Sequence, residues 1–345
     1  METKYIYGII ETAKDEYPDT KSFGGGVYTI PYRDISAVVS DSPFVDYTTL
    51  PKDKIARYLL RHQQVIEKIM DAYTIIPMRL GTYAFNASEV IEILGKGYIR
   101  FKDVFGKIDN KIEIDVVATW NDLNSAIKEI GELQEIKGFK EKLMSKSGGV
   151  SVEDQMMIGS LIKNILDKER EKLASEIKDV LGKVSIDSRA HGLMDARMIL
   201  NTAYLLDKNK KYGFEEVLNE LNKRYDEKIN FRCVEPLPPY SFYTAEVKKM
   251  RFEELDLARK RLCLNPDKVG TKEEIEKAYR NRALVYHPDR NPDTLDSDKE
   301  FNEINKAYKL LLDYCLSAEQ AGQAEEYSFK EDDLAKNVII VKVRD

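Results

Sequence analysis

Cysteine is scarce in this chain, and its three copies are spread over 345 residues. Cys233, Cys263 and Cys315 are odd in number and show no CxxC spacing, so the sequence predicts neither a disulfide framework nor a cysteine-based metal site. Histidine is equally scarce, with three copies. The glycine run in "FGGGVY" lacks the Lys and the Ser/Thr of a phosphate-binding P-loop. We therefore expect a protein that is not an enzyme and has no catalytic residues, cofactor or metal.

Excess positive charge and long apolar runs are also missing. Lys and Arg number 54 against 60 Asp and Glu, for a net charge of -6. This balance gives no overall positive field to hold nucleic acid or an anionic membrane. Apolar stretches such as "MILNTAYLL" fall short of the roughly 18 residues of a transmembrane helix. The start of the chain lacks the basic residues and apolar stretch of a signal peptide. We expect a cytoplasmic protein with no nucleic-acid or membrane partner.

The composition that is present, 43% hydrophobic and 33% charged, is typical of a globular protein with two or three domains. Short β-rich runs come first, and the helical pattern "KDKIARYLLRHQQVIEKIMDAY" is expected to cover one face of their sheet. A long charged helical stretch, broken at "SKSGGVS", predicts a helical hairpin. A strand, a helix and a further strand follow it.

These patterns predict an α+β protein with two ferredoxin-like α+β domains and a helical linker region, followed by an all-α helical hairpin. The predicted segments are an N-terminal domain at 1–120, the helical linker and second domain at 121–248, the hairpin at 252–316, and an acidic linker with a terminal strand at 317–345. A fragment ending near Lys248 is expected to fold alone, unless the terminal "NVIIVKV" returns to complete a sheet.

The stretch "GTKEEIEKAYRNRALVYHPDR" contains a helix with clear start and stop signals. Thr271 and Glu274 form the pattern of a capping box at its beginning. Pro288 lacks the amide hydrogen that would continue the helix and restricts His287 before it, so the helix is predicted to end there. One face of the helix is apolar and the other is basic.

Around this helix, "ARKRLCLNP" is similar to the first J-domain helix, "EEIEKAYRNRALVYHPDRNP" to the second helix with its loop, and "FNEINKAYKLL" to the third. Residues 254–315 therefore resemble the J domain of the DnaJ family. In that family the HPD loop and the basic face of the second helix bind a DnaK-type chaperone and stimulate its ATPase. The resemblance implies a chaperone-binding role for six residues, His287, Pro288, Asp289, Lys277, Arg280 and Arg290.

Two other interpretations of the HPD segment remain. Asn281 and Val285 stand where the family often has lysine, which weakens the basic face, so one alternative is a degenerate J domain kept as a packing module. The other is a metal site, which one histidine and one aspartate without a further nearby ligand support poorly.

In the larger N-terminal part, "KYIYGII", "HQQVIEKIM", "IIPMRLGT" and "PPYSF" stand in the order found in the gas vesicle proteins GvpF and GvpL, which residues 1–246 resemble. The usual Gly-Pro-Trp before the paired prolines is replaced by Glu235, Pro236 and Leu237. The resemblance implies an accessory protein of gas vesicle formation, located with gas vesicles. It also implies, as partners, the hydrophobic shell protein GvpA and other gas vesicle accessory proteins. A soluble partner would cover the apolar shell subunit before assembly.

The sequence leaves two alternative functions open. One is a general DnaJ-type co-chaperone whose α+β part binds many clients. The other is an enzyme with an unrecognised site that uses His62, Arg79 or His191. For His62 a hydrogen-bonded packing role is favoured, and for Arg79 a structural one.

Overall fold

The computed structural model describes residues 2–12, 26–145, 150–226, 228–234, 236–265, 270–287, 297–320, 327–330 and 337–344. The chain divides into two compact units. Unit 1 combines residues 1–109 with residues 243–345, and unit 2 comprises residues 110–242.

The first part of unit 1 is an antiparallel sheet with two helices. Its elements are β1 (Glu2–Glu11), β2 (Val27–Tyr32), β3 (Ile35–Pro43), α1 (Lys52–Met70), β4 (Ile75–Pro77), β5 (Tyr83–Ala84) and α2 (Ala87–Ile108). The strands lie in the order β2, β3, β1, β4, and β5 also pairs with β1. Helix α2 begins at Asn86, whose side chain accepts a hydrogen bond from the amide of Glu89, as expected of an N-cap.

Helix α1 covers the sheet only with its second half. His62, Val65, Ile66 and Ile69 are buried, whereas Leu59 and Leu60 are 43% and 56% exposed. The helix therefore covers the sheet through its second half, and its first turns remain exposed.

Unit 2 is a second antiparallel sheet with helices. Its elements are β6 (Lys111–Trp120), α3 (Leu123–Gly131), α4 (Gln134–Met144), α5 (Val152–Gly182), β7 (Asp187–Ala190), β8 (Met198–Asp207), α6 (Lys211–Arg224) and β9 (Ile229–Cys233). The strand order is β7, β8, β6, β9. Helices packed with antiparallel sheets in both units confirm the predicted α+β class.

The remaining elements return to unit 1. They are β10 (Ala245–Arg251), α7 (Phe252–Arg261), α8 (Lys272–Tyr286), α9 (Ser297–Gln320) and β11 (Asn337–Val343). Strands β10 and β11 pair antiparallel over their whole length. The terminal "NVIIVKV" is thus a strand, as predicted, and its partner is β10.

Two apolar clusters hold unit 1 together. We call the first the sheet core, which includes Ile6, Ile9, Val39, Ile93, Phe101 and Phe105. It also includes Ala245, Ile339, Val341 and Val343 of the two-stranded ribbon formed by β10 and β11. We call the second the helical core, which includes Leu255, Leu262, Ile275, Ile304 and Leu311, together with Met250 and Ile340 of that ribbon. The C-terminal strand therefore contributes to both cores.

These pairings move the boundaries expected from the sequence. Strand β6 was assigned to the domain at 1–120, but it pairs with β8 and β9 in unit 2. Alternating apolar residues show that a strand is half buried without showing which sheet it joins. The segment 317–345, expected to be a solvated linker before its strand, carries the buried side chains of Tyr327 and Phe329.

In the described part of the chain, every helix is too short or too polar to cross a bilayer.

Two substitutions in α2, one at Phe101 and one at Ile99, test the sheet core. Phe101 is fully buried, whereas Ile99 is 60% exposed. Phe101→Ala should lower the free energy of unfolding by about 3–5 kcal/mol because it removes a ring and leaves a cavity. Ile99→Ala, the matched control, should change it by less than about 0.5 kcal/mol. Native-state hydrogen exchange of β1 amides measures both, and equal protection in the two variants would contradict this account of the core.

Candidate functional site

The helix α8 is held by its cap and by packing on α9. Thr271 Oγ1 accepts from the amide of Glu274 at 3.3 Å, and the Glu274 carboxylate accepts from the amide of Thr271 at 3.3 Å, which confirms the predicted capping box. Farther along, the rings of Tyr279 and Tyr308 stack at 4.1 Å. The Tyr279 hydroxyl also donates to Asn305 Oδ1 at 2.7 Å. This side of α8 is therefore fixed, and its other side faces solvent.

The solvent side of α8 carries the predicted basic residues. Lys277 is exposed, and the exposed guanidinium of Arg280 pairs with Glu276 at 3.1 Å. A pair as open to solvent as this one is weak, so Arg280 can exchange Glu276 for a carboxylate on a partner. Leu284 and Val285 are 53% and 58% exposed, so the same surface continues as an apolar one.

The helix ends where the sequence predicted. His287 follows its last residue with an extended backbone, φ -65° and ψ 128°, as is usual before proline. Its ring meets Phe301 of α9 edge to face at 5.3 Å. Pro288, Asp289 and Arg290, the other three predicted chaperone-binding residues of the loop, lie outside the described residues.

A second candidate surface lies on the N-terminal sheet of unit 1. Four aromatic side chains, which we call the aromatic ladder, contact one another in sequence: Phe44, Tyr83, Tyr47 and Tyr58. The three ring-centroid distances are 5.4, 6.5 and 5.3 Å. Phe44 and Tyr58, at its two ends, are 64% and 40% exposed. The exposed Leu59 and Leu60 lie beside Tyr58 in α1.

Gly81 allows this ladder to form. Its φ is +86°, a left-handed conformation, and a Cβ atom there would lie 2.9 Å from the Tyr47 ring. Both the backbone and the close approach therefore require glycine. Burial raises the pKa of the hydroxyls of Tyr47 and Tyr83, so both stay protonated and uncharged at neutral pH.

Below the ladder, His62 is a buried packing histidine. Its Nε2 lies 3.0 Å from the carbonyl oxygen of Met78, and its Nδ1 lies 2.7 Å from the hydroxyl of Tyr5. Because a carbonyl only accepts, Nε2 carries the proton and Nδ1 accepts from Tyr5. Burial lowers the pKa of His62 to about 4. With both nitrogens bonded, its geometry is that of a structural residue.

Arg79 lies two residues after the end of β4 and pairs with Glu246 of β10. Its backbone amide also donates to the carbonyl of Ala245 at 2.8 Å. These contacts favour the structural interpretation of this residue.

In unit 2, His191 belongs to a polar cluster that the sequence did not predict. Glu113 is 1% exposed and accepts from the amide and the hydroxyl of Ser241, both at 2.7 Å. His191 Nε2 lies 3.1 Å from Ser241 Oγ. Burial raises the pKa of Glu113 to about 7 and also raises that of Asp115 on the same strand.

The order of groups in this cluster differs from that of a serine hydrolase. In a hydrolase triad the histidine lies between the serine and the acid and takes the serine proton. Here Ser241 lies in the middle and donates to Glu113, so His191 acts as a donor to Oγ. The cluster instead anchors the "PPYSF" segment on β6, where Glu113 and Leu237 also exchange two backbone hydrogen bonds at 2.8 Å.

None of the described His, Cys, Asp and Glu side chains come together in a group of three or more suited to a metal ion.

Sequence reasoning missed the aromatic ladder and the Glu113 cluster for the same reason. Their members come from separate elements with no fixed spacing along the chain. Glu113 lies on β6, and its partners Leu237 and Ser241 follow more than 120 residues later.

Comparisons with known proteins divide the chain in the same way as its motifs. The gas vesicle synthesis protein GvpL/GvpF family matches residues 3–244, and the DnaJ domain matches residues 260–315. Gas vesicle protein F of Nostoc sp. strain PCC 7120 is 24% identical over 69% of this chain and 96% of its own. The chaperone protein DnaJ of Chlorobium phaeobacteroides is 45% identical over 19% of this chain and 14% of its own. The crystal structure of GvpF from Anabaena sp. PCC7120 covers 70% of this chain and 98% of its own, with a TM-score of 0.60 at 22% identity, which shows a shared fold.

Glu113 should make unit 2 more stable in acid. Its pKa is about 7 in the folded chain against an ordinary 4.5, so its contribution is complete below 4.5 and is lost as the pH rises to 7. Between these two pH values the free energy of unfolding should fall by at most about 1.4 kcal/mol per pH unit. Glu113→Gln should flatten this part of the profile, whereas the exposed Glu129→Gln should leave it unchanged. Urea unfolding followed by the single Trp120 measures it, and an unchanged slope in Glu113→Gln would assign the titration elsewhere.

Proposed function

Because this chain belongs to the gas vesicle synthesis protein GvpL/GvpF family and contains a DnaJ domain, we propose that it is a gas vesicle assembly factor with a built-in chaperone recruiter. In this proposal the chain binds the hydrophobic shell protein GvpA and brings a DnaK-type chaperone to it through the J domain. It works in the cytoplasm at forming gas vesicles, with other gas vesicle accessory proteins, and catalyses no reaction itself.

The proposed binding of the shell protein rests on the aromatic ladder and on the exposed first turns of α1. Aromatic side chains are enriched where proteins bind one another because they bury a large area at a small cost in entropy. Leu59 and Leu60 follow Tyr58 in the same exposed turn of α1 and add apolar area that the fold itself does not cover. A subunit with an apolar surface would be shielded there before it polymerises.

The observation that supports chaperone recruitment is the solvent side of α8. Lys277 and Arg280 present positive charge beside His287, which lies at the end of the helix. In the DnaJ family this is the arrangement that a DnaK-type chaperone binds. Val285 replaces a basic residue of that family, so the contact here relies on fewer charges.

The general co-chaperone remains the alternative function. The aromatic ladder offers mainly ring surface, and the hydroxyls of Tyr47 and Tyr83 already lie 3.3 Å from each other, which favours a broad client range. Selectivity therefore decides between the two functions.

Changing His287 tests recruitment. His287→Gln, and likewise Asp289→Asn, should abolish stimulation of a DnaK-type ATPase while circular dichroism shows an unchanged fold. The double variant Lys277→Glu/Arg280→Glu should weaken stimulation by roughly tenfold at low salt, equivalent to about 1.4 kcal/mol, and by less at high salt because the charges are screened. Lys306→Glu, an exposed change on α9, is the matched control. Full stimulation by both the His287 and the Asp289 variants would contradict the J-domain mechanism, whereas no stimulation by the unaltered chain would show a degenerate J domain.

Changing the ladder tests the client. Phe44→Ser/Tyr58→Ser should weaken binding of a soluble GvpA fusion by roughly 30-fold, since each aromatic anchor contributes on the order of 1 kcal/mol. The loss should be nearly independent of salt. Met144→Ser/Met156→Ser, at residues 74% and 67% exposed in unit 2, is the control. Loss in the control pair instead would move the site to unit 2.

An unrelated unfolded protein serves as the competing client in the same assay. If it binds the unaltered chain as tightly as the GvpA fusion does, the general co-chaperone function is correct. His287→Gln should bind the GvpA fusion as the unaltered chain does, because recognition and recruitment use different surfaces.

A further inference from the structure

The ribbon formed by β10 and β11 lies outside both of the family matches. The GvpL/GvpF match ends at residue 244 and the DnaJ match spans 260–315, so both strands lie outside them. Strand β10 ends at Arg251 and α7 begins at Phe252, with Arg251 as its N-cap. The first helix of the J domain therefore follows the ribbon without any spacer.

Strand β11 buries both of its faces. Ile339, Val341 and Val343 lie in the sheet core, and Ile340 between them lies in the helical core. All four are at most 8% exposed. Because successive side chains of a strand point to opposite sides, one strand fills a gap in each core.

Charged side chains hold the ribbon on the same two sides. Lys249 of β10 pairs with Glu89 of α2 at 2.9 Å. On the other side Lys342 of β11 and Lys248 of β10 both reach Asp313 of α9. These partly exposed pairs add little energy, but they match the register that the apolar side chains set.

The segment before β11 is also fixed to the helices. Tyr327 and Phe329 are 2% exposed in the helical core. Tyr327 exchanges two backbone hydrogen bonds with Gly270 at 2.9 Å. A Cβ atom on Gly270 would lie 2.6 Å from the Phe329 ring, so only glycine admits this contact.

We propose that the β10–β11 ribbon is a clamp that fixes the J domain on the N-terminal sheet, so that α8 keeps one orientation relative to the aromatic ladder. A J domain on a flexible tether would sample many positions, and its effective concentration at a bound client would fall with tether length. The clamp removes that loss. This inference goes beyond the proposed function and does not depend on which client is bound.

The test measures the distance between two spin labels on the full chain. The labels are placed at the exposed positions Ile99 of α2 and Lys306 of α9, after serine replaces the exposed Cys233 and Cys263 and alanine replaces the buried Cys315. Pulsed dipolar spectroscopy of the clamped chain should give one narrow distance distribution. Ile340→Asp places a carboxylate in the helical core and should broaden the distribution at least twofold. Leu257→Asp, at a residue 60% exposed on α7, is the matched control and should leave it narrow.

A second measurement decides the matter if Ile340→Asp fails to fold. In the full chain, Ile340→Ala removes the side chain from the helical core without burying a charge, and it should also broaden the distribution. Leu257→Ala, at an exposed position of α7, is its matched control and should leave the distribution narrow.

Either of two results would overturn the clamp: a broad distribution in the unaltered chain, or an unchanged narrow one in folded Ile340→Asp or in Ile340→Ala. Light scattering must also show a monomer, because exchange of β11 between two copies would refute a clamp within one chain.

Discussion

Burial of both faces of the last strand is the constraint on which unit 1 depends. A strand in an antiparallel sheet commonly packs one face on a core and exposes the other face to water. Here alternate side chains of β11 enter the sheet core and the helical core. This one strand therefore packs against both the N-terminal sheet and the C-terminal helices. Unit 1 is therefore discontinuous in sequence, and unit 2 is inserted between its two parts.

The N-terminal sheet of unit 1 has a hydrogen-bonded histidine in its interior and exposed aromatic rings on its surface. His62 is bonded at both ring nitrogens, so its burial costs no missing hydrogen bond. The rings stacked above it lead outward to Phe44 and Tyr58, where large apolar area meets water. Folding accounts for the buried end of this array. It does not account for the exposed end, and the proposed client supplies a reason for it.

Local signals were readable from sequence because their causes are local. The Thr271 and Glu274 cap and the end of α8 before Pro288 follow from groups within a few residues. The destination of a strand is not local. The pattern "NVIIVKV" predicts a strand, yet its pairing with β10 and the burial of its two faces depend on segments that are far from it in the sequence. For the same reason, the alternation in β6 could not show that Glu113 is covered by the segment around Leu237.

The two candidate surfaces of unit 1 differ in the physics of their contacts. Charge on Lys277 and Arg280 acts over about 8 Å at physiological ionic strength and favours fast, reversible encounter. The aromatic ladder acts only on contact and changes little with salt. In the proposed function, a client held by apolar burial stays bound while chaperones arrive and leave at α8. Because the ribbon holds both surfaces in one unit, each arriving chaperone would find that client at the same distance.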